Sequence, residues 1–248
     1  MNGRWHPGHE QRQMALRGPG GMELGLFLVR GWRQARWTEP SEPGGPDSNS
    51  SEEIQKVLAR AGLNGWELVA VDHIEGGTAT GLSDWDLYLE GESADLMAEI
   101  PALVASVRPL AAFWEPLSEQ AGYMIVVDGP VKVDLFPIRG SRQVQPPWVP
   151  GAGTHAAIDA HFWDWTLWLG SKSLRGERQL VAGELAKMHW FLLGPLGVAS
   201  CPARLSETVV SYRRARAEAL EALGTVVDPE LGRQVSEALR RHGVLTTI

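Results

Sequence analysis

The chain has 248 residues, of which 44% are hydrophobic and 21% charged, and its formal net charge is −7 at pH 7. This composition is that of a soluble globular protein with one large domain or two small ones. The acidic balance disfavours a protein that coats nucleic acid, because such proteins present a basic face. The single cysteine, Cys201, cannot form an internal disulfide, and no apolar run has the length of a transmembrane helix. We therefore expect a cytoplasmic protein without a membrane partner.

Changes in composition divide the chain into three predicted parts. Residues 1–50 are an N-terminal extension and linker rich in Gly, Arg and Pro. Residues 51–138 mix helical and strand patterns, whereas residues 139–248 carry four apolar stripes at helical spacing. A loop rich in Pro and Gly, residues 137–153, marks the boundary between the two domains. The predicted fold class is α+β, with a small mixed β-sheet followed by a helical-bundle domain.

The periodicity also predicts individual elements within these domains. Helices are expected from Ser50 or Ser51 to Gly62 and over 94–106, and strands over 66–71, 84–89, 123–127 and 131–136. Glycine-containing turns are expected at 76–77 and 128–130. In the second domain, the helical stripes begin at Ile158, Val181, Leu205 and Leu231.

The segment from Gly76 to Asp86 carries the most chemical information. Adjacent Gly76 and Gly77 let the backbone approach a ligand closely, and free N–H groups in such a turn can cradle a phosphate. The Thr78 hydroxyl adds a donor at the same place. Asp84 and Asp86 are two apart on a predicted strand, so both lie on one face. Two neighbouring carboxylates repel each other unless a cation lies between them, and Mg²⁺ prefers such oxygen ligands.

Asp134 is the candidate for a third carboxylate. It alternates with valines on the predicted strand 131–136. If this strand lies beside the strand that carries Asp84 and Asp86, Asp134 joins the same polar face and completes a metal site. Lys132, two residues earlier, is interpreted as a solvated strand residue.

Gly-Gly-Thr, then Ser-Asp-Trp-Asp-Leu, then a distant Val-Asp-Leu resembles the signature of the DNA polymerase beta-like nucleotidyltransferase superfamily. The helical second part, with Phe162-Trp163 and the residues around Lys172, looks like that of bacterial aminoglycoside and lincosamide nucleotidyltransferases. The resemblance covers about residues 51–195. The chain departs from the family at Thr78, where Ser is usual.

The resemblance implies a Mg²⁺ site at Asp84 and Asp86, with Asp134 completing it or helping to deprotonate the acceptor. It also implies contacts to the nucleotide or the acceptor from a further set of residues: Gly76, Gly77, Thr78, Ser83, Lys172 and Lys187 for the nucleotide, and Glu177 or Glu184 for a cationic acceptor. The implied reaction moves AMP, or another nucleoside monophosphate, from an NTP to a hydroxyl of a small molecule such as an aminoglycoside or lincosamide.

Two other functions remain open at this point. Transfer to a protein or a tRNA end would use the same site, although the absence of a basic patch argues against tRNA. A degenerate member could hold a nucleotide without turnover. Each feature also has an ordinary structural interpretation, since Asp-x-Asp often forms a solvated strand face and paired glycines usually form turns. Arg213, Arg214 and Arg216 are interpreted as a solvated helix face.

Overall fold

A computed structural model describes the chain at residues 16–17, 23–24, 67–72, 80–82, 84–90, 93–105, 108–137, 139–145 and 147–245. It combines a β-sheet with several helices, which confirms the predicted α+β class. The described residues divide into two compact units. One contains the sheet and continues to Arg142, and the other contains Thr80 to Asp84 together with the helices after Gln143.

Five strands form the main sheet of the first unit. They are β3 (Glu67–Asp72), β4 (Trp85–Glu90), β5 (Ala111–Trp114), β6 (Tyr123–Val127) and β7 (Val131–Pro137). Their order across the sheet is β3-β4-β7-β6-β5, and only the β4–β7 pair is parallel among these neighbours. Two short strands, β1 (Leu16–Arg17) and β2 (Glu23–Leu24), pair separately. The predicted mixed sheet is therefore present.

Strands β6 and β7 form a hairpin whose turn contains a glycine. Val127 pairs with Val131 across the turn that contains Gly129, whose φ of 121° is a conformation that favours glycine. Every residue of β6 is buried. Helix α1 (Ser93–Ala105) contacts β5 and β7, and its Ile100 and Val104 are fully buried. Strand β6 is therefore buried on both faces of the sheet.

The second unit contains four α-helices and one π-helical turn. They are α2 (His155–Leu174), α3 (Arg178–Met188), the π-helix His189–Leu193, α4 (Leu205–Leu223) and α5 (Glu230–Arg241). Helix α4 ends at Gly224, whose φ of 60° lets its backbone N–H bond to the carbonyl of Glu221. Among the described helices of the chain, none has the length and apolar character needed to cross a lipid bilayer.

A buried polar cluster joins helices α2 and α4. Asp159 accepts hydrogen bonds at Oδ1 from the Tyr212 hydroxyl and from Arg216 Nε, each at 2.6 Å. Burial and then the negative charge of Asp159 raise the pKa of Tyr212, so its hydroxyl stays protonated and donates. The prediction that Arg216 belongs to a solvated face is wrong, because its side chain is 17% exposed and pairs with this carboxylate. Arg214 does lie exposed on the same helix.

Helices α2 and α5 approach closely at Gly232. A Cβ added there would lie 2.6 Å from Cε2 of Trp163, which is itself only 3% exposed. We expect Gly232→Ala to lower the free energy of unfolding by about 1–3 kcal/mol, because overpacking forces the neighbours apart. Urea denaturation measures this change.

Gly183 on α3 supplies the matched control. Among the described residues, no atom beyond its own helical surroundings lies within 4 Å of an added Cβ at this position. Gly183→Ala should raise the free energy of unfolding by about 0.5–1 kcal/mol, since alanine is the better helix former. Equal effects of the two substitutions would contradict the close contact at Gly232.

His155, at the start of α2, predicts a pH dependence of stability. It is fully buried, and its ring nitrogens have no hydrogen-bond partner among the described residues. Burial lowers the pKa of His155, and nearby Asp159 opposes this shift only in part. The unfolded chain then binds the proton more readily than the folded chain. Stability should therefore be complete above the unfolded pKa of about 6.5 and decrease as the pH falls below it.

The comparison of wild type with His155→Leu isolates this effect, because leucine does not titrate in either state. The stability of the wild type should fall more steeply between pH 7.5 and pH 5, by up to about 1.4 kcal/mol for each pH unit. Urea midpoints across this range measure the two slopes. Parallel curves for the two proteins would show that His155 titrates normally in the folded state.

Candidate active site

The register of the sheet brings two of the predicted site residues together. Strands β4 and β7 pair in parallel, and Asp86 lies directly opposite Asp134. Directly opposite residues in adjacent strands lie on the same face of the sheet, about 4.8 Å apart in the pairing direction. The sequence analysis required the strand of Asp134 to lie beside the strand of Asp86. The observed strand pairing has this arrangement.

A third carboxylate-bearing position extends this row. Asp72, the last residue of β3, lies opposite Asp86 in the antiparallel β3–β4 pair. The row across three adjacent strands is thus Asp72, Asp86 and Asp134. Sequence reasoning missed Asp72 because the predicted strand ended at residue 71. The only sequence feature that marked Asp72 was its position just after a predicted apolar strand. The register between β3 and β4 could not be derived, because the connection between them is long.

Asp134 is buried and paired with a lysine. Its side chain is 7% exposed, and its Oδ1 accepts a hydrogen bond from Lys132 Nζ at 2.7 Å. The ammonium also lies 3.4 Å from Sδ of Met124, the residue opposite Asp134 on β6. The prediction that Lys132 is solvated is wrong, because its side chain is only 4% exposed. Strand β7 lies between β4 and β6 in the sheet, and its residues from Lys132 to Leu135 are all buried.

Asp84 immediately precedes β4 in the chain and is 7% exposed. It belongs to the short segment that groups with the helices. Within that unit Leu82 is buried and lies near an added Cβ at Gly170, and its backbone N–H donates to the Thr80 hydroxyl at 3.2 Å. The sequence assigned this segment to the first domain. It groups with the helices because Leu82 packs there.

Four of the predicted residues lie outside the described residues: Gly76, Gly77, Thr78 and Ser83. Asp86 is described as a strand position only. The structure therefore leaves the phosphate-binding turn as a prediction from the sequence.

The candidate residues from the helical unit have partners on their own helices or nearby. Lys172 Nζ lies 4.9 Å from the ring centroid of Trp168, a cation–π contact. Lys187 Nζ donates to Glu184 Oε1 at 2.6 Å, and the lysine side chain is 62% exposed. Glu177 accepts from Arg175 Nε at 2.6 Å. The acidic candidates are thus engaged by neighbouring cations, and their proposed contacts to an acceptor stay predictions.

The donor set fits a hard divalent cation better than a transition metal. The candidate positions offer carboxylate oxygens, which suit Mg²⁺, and neither His nor Cys belongs to the row. Among the side chains that the structure describes, no group of three His, Cys, Asp or Glu residues is close enough to hold a metal ion. Asp84 and Asp86 stay the metal ligands predicted from the sequence, and in the register Asp134 lies opposite Asp86.

Comparison with known proteins adds no assignment. No protein-family model matches the chain, and no curated protein matches it at a significant level. The function has to be argued from the residues and their register.

Proposed function

We propose that the chain is a Mg²⁺-dependent nucleotidyltransferase that moves AMP, or another nucleoside monophosphate, from an NTP to a hydroxyl of a small molecule. The observation that carries the proposal is the pairing of Asp86 with Asp134 on parallel neighbouring strands. A carboxylate site of the nucleotidyltransferase type, as predicted from the sequence, depends on this pairing. The interpretation of the helices after residue 139 as the bundle domain of such enzymes belongs to the same proposal.

Each candidate residue has a specific role in this proposal. Asp84 and Asp86 hold the cation, and the turn at Gly76, Gly77 and Thr78 binds the triphosphate through backbone N–H groups and a hydroxyl. Bound Mg²⁺ supplies positive charge that neutralises the phosphates and polarises the reacting α-phosphate. The main contribution of the protein is to position the nucleotide and the acceptor, because nucleotidyl transfer needs little covalent chemistry from side chains.

The reaction balances without a further cofactor. The acceptor hydroxyl oxygen forms a bond to the α-phosphorus, and the bond between this phosphorus and the bridging oxygen to the β-phosphorus breaks. Pyrophosphate leaves with the electron pair of the broken bond. The hydroxyl proton passes to a base, for which the Asp134 carboxylate is the candidate.

A cationic acceptor such as an aminoglycoside agrees with the charge of the chain. The net charge of −7 attracts cationic substrates, and Glu177 and Glu184 lie on the helical unit. Lincosamides also carry an amine and are therefore a second acceptor class for the first experiments. ATP is the first donor to test.

Pyrophosphate release with each of the four NTPs, Mg²⁺ and a panel of aminoglycosides and lincosamides tests this proposal. We expect release that depends on both one NTP and one acceptor. Release with an NTP but without any small acceptor would redirect the search to proteins or tRNA. Nucleotide binding without release under any condition would support the degenerate, non-catalytic alternative.

A further inference from the structure

The chain approaches Asp84 along two helices of its own compact unit. Leu82 is 4% exposed, and its Cδ1 lies 3.2 Å from the position that a Cβ at Gly170 of α2 would take. The same added atom would clash with Cδ2 of Leu239, a fully buried residue of α5. Leu82 therefore packs where α2 and α5 approach each other, two residues before Asp84 in the chain.

The imidazole of His242, the residue after α5, covers the backbone of Gly81. A Cβ added to Gly81 would lie 2.5 Å from Cε1 and 2.8 Å from Nε2 of this ring. The φ of Gly81 is not positive, so its backbone conformation is open to alanine. The group that a methyl at Gly81 would meet is therefore the ring of His242.

A hydroxyl contact joins the same stretch of chain to α2. Thr80 Oγ1 accepts a hydrogen bond from the backbone N–H of Leu82 at 3.2 Å and donates to Oγ of Ser171 at 3.5 Å. Ser171 and Leu239 are fully buried, whereas His242 is exposed. Of the contacts that hold this stretch on the helices, the ring of His242 can therefore be altered with the least disturbance of the helical core.

The ring of His242 restrains a position of high backbone freedom, because glycine adopts more conformations than other residues. In the proposed function, Thr78 binds the triphosphate and Asp84 binds Mg²⁺, and Gly81 lies midway between them in the chain. An NTP with Mg²⁺ binds tightly only if these two positions are held in place beforehand, since freedom that is lost on binding weakens the affinity.

We propose that His242 is a positioning residue of the nucleotide site, which holds the chain between Thr78 and Asp84 through its contact with Gly81. The inference rests on the proposed function and adds to it a residue at the end of α5. His242 acts through the backbone, and its ring supplies shape, not charge. A phenylalanine ring at this position should therefore serve equally well.

The affinity for NTP with Mg²⁺, measured by isothermal titration calorimetry without any acceptor, tests the inference independently of turnover. Each of the four NTPs is titrated into the wild type, and the one that binds most tightly is used for the variants. His242→Ala removes the ring and Gly81→Ala displaces it, so each should weaken NTP binding about tenfold. The double variant should bind no more weakly than either single variant, because both changes abolish the same contact.

Two further variants serve as controls. His242→Phe keeps a planar ring against Gly81 and should retain the wild-type affinity. Gly153→Ala is the matched control for the glycine: the φ of Gly153 is not positive, and among the described residues no atom beyond its chain neighbours lies within 4 Å of an added Cβ. It should bind NTP like the wild type. If Gly81→Ala does not fold, the comparison of His242→Ala with His242→Phe still decides the matter.

The outcomes separate the inference from the proposed function. Wild-type affinity in a folded His242→Ala, or a loss in Gly81→Ala that His242→Ala does not share, would overturn the inference alone. Additive losses in the double variant, or a loss in His242→Phe equal to that in His242→Ala, would do the same. Absence of Mg²⁺-dependent NTP binding to the wild type would overturn the proposed function, and the inference with it.

Discussion

Replacing Asp86 by Asn is expected to reduce acceptor-dependent pyrophosphate release by about 10³-fold, because a metal ligand that stabilises transition-state charge contributes several kcal/mol. The substitution preserves side-chain volume and removes only the negative charge. Asp86 lies opposite both Asp72 and Asp134 in the sheet, so it occupies the centre of the carboxylate row. The loss should appear mainly in kcat, provided that nucleotide still binds through the glycine turn.

Asp228→Asn is the control for this activity prediction. Asp228 is exposed before helix α5 and accepts a hydrogen bond from the backbone N–H of Glu230. Its replacement should leave the release rate within about twofold of wild type, as expected for a surface change away from the site. Full activity in Asp86→Asn, with unchanged folding by circular dichroism, would refute the catalytic assignment of the carboxylate row.

Replacing Asp159 by Ala should have the largest effect on stability among the substitutions considered. We expect the free energy of unfolding to decrease by about 2–4 kcal/mol, because the fully buried Tyr212 hydroxyl loses its acceptor and the Arg216 guanidinium keeps only its hydrogen bond to the carbonyl of Val227. Both groups now donate to Asp159 Oδ1 at 2.6 Å. The same packing brings Tyr212 into a stacked contact with Phe162 at 3.5 Å between ring centroids.

Arg214→Ala provides the comparison on the same helix as Arg216. Arg214 and Glu218 are both more than two-thirds exposed, and their closest charged atoms are 3.9 Å apart. Such an exposed pair contributes about 0–1 kcal/mol, so its loss should be small. Guanidinium chloride denaturation of wild type, Asp159→Ala and Arg214→Ala measures the three free energies of unfolding. A change below about 1 kcal/mol for Asp159→Ala would mean that the cluster contributes little to the stability of α2 and α4.

The sequence predicted the elements that carry a strong local pattern. Strand β6 was predicted with its observed bounds, and helix α4 begins at the Leu205 of its apolar stripe. The short strand β5 was missed because Ala-Ala-Phe-Trp contains no β-branched residue and alanine is depleted in strands. The predicted helix after Ser50 or Ser51 lies outside the described residues.

The charged residues of the interior could not be predicted in the same way. Lys132 and Arg216 both look like surface residues in the sequence, because lysine and arginine are seldom fully buried. Lys132 is buried and Arg216 is largely covered, in both cases for a reason that only the fold supplies. Lys132 pairs with Asp134 in the buried middle of β7, and Arg216 pairs with a carboxylate that lies 57 positions away in the sequence. The sequence showed that Asp86 and Asp134 would have to lie on neighbouring strands to form one site. It did not predict the strand order that makes them neighbours.

The fate of the α-phosphate tests the central claim most directly. The chain is incubated with Mg²⁺, a panel of aminoglycosides and lincosamides, and ATP labelled either at the α- or at the γ-phosphate. Nucleotidyl transfer predicts that the α-label appears on the acceptor and that the γ-label appears in pyrophosphate. The γ-label on the acceptor, or neither label on any small molecule, protein or RNA, would contradict the assignment of this chain as a nucleotidyltransferase.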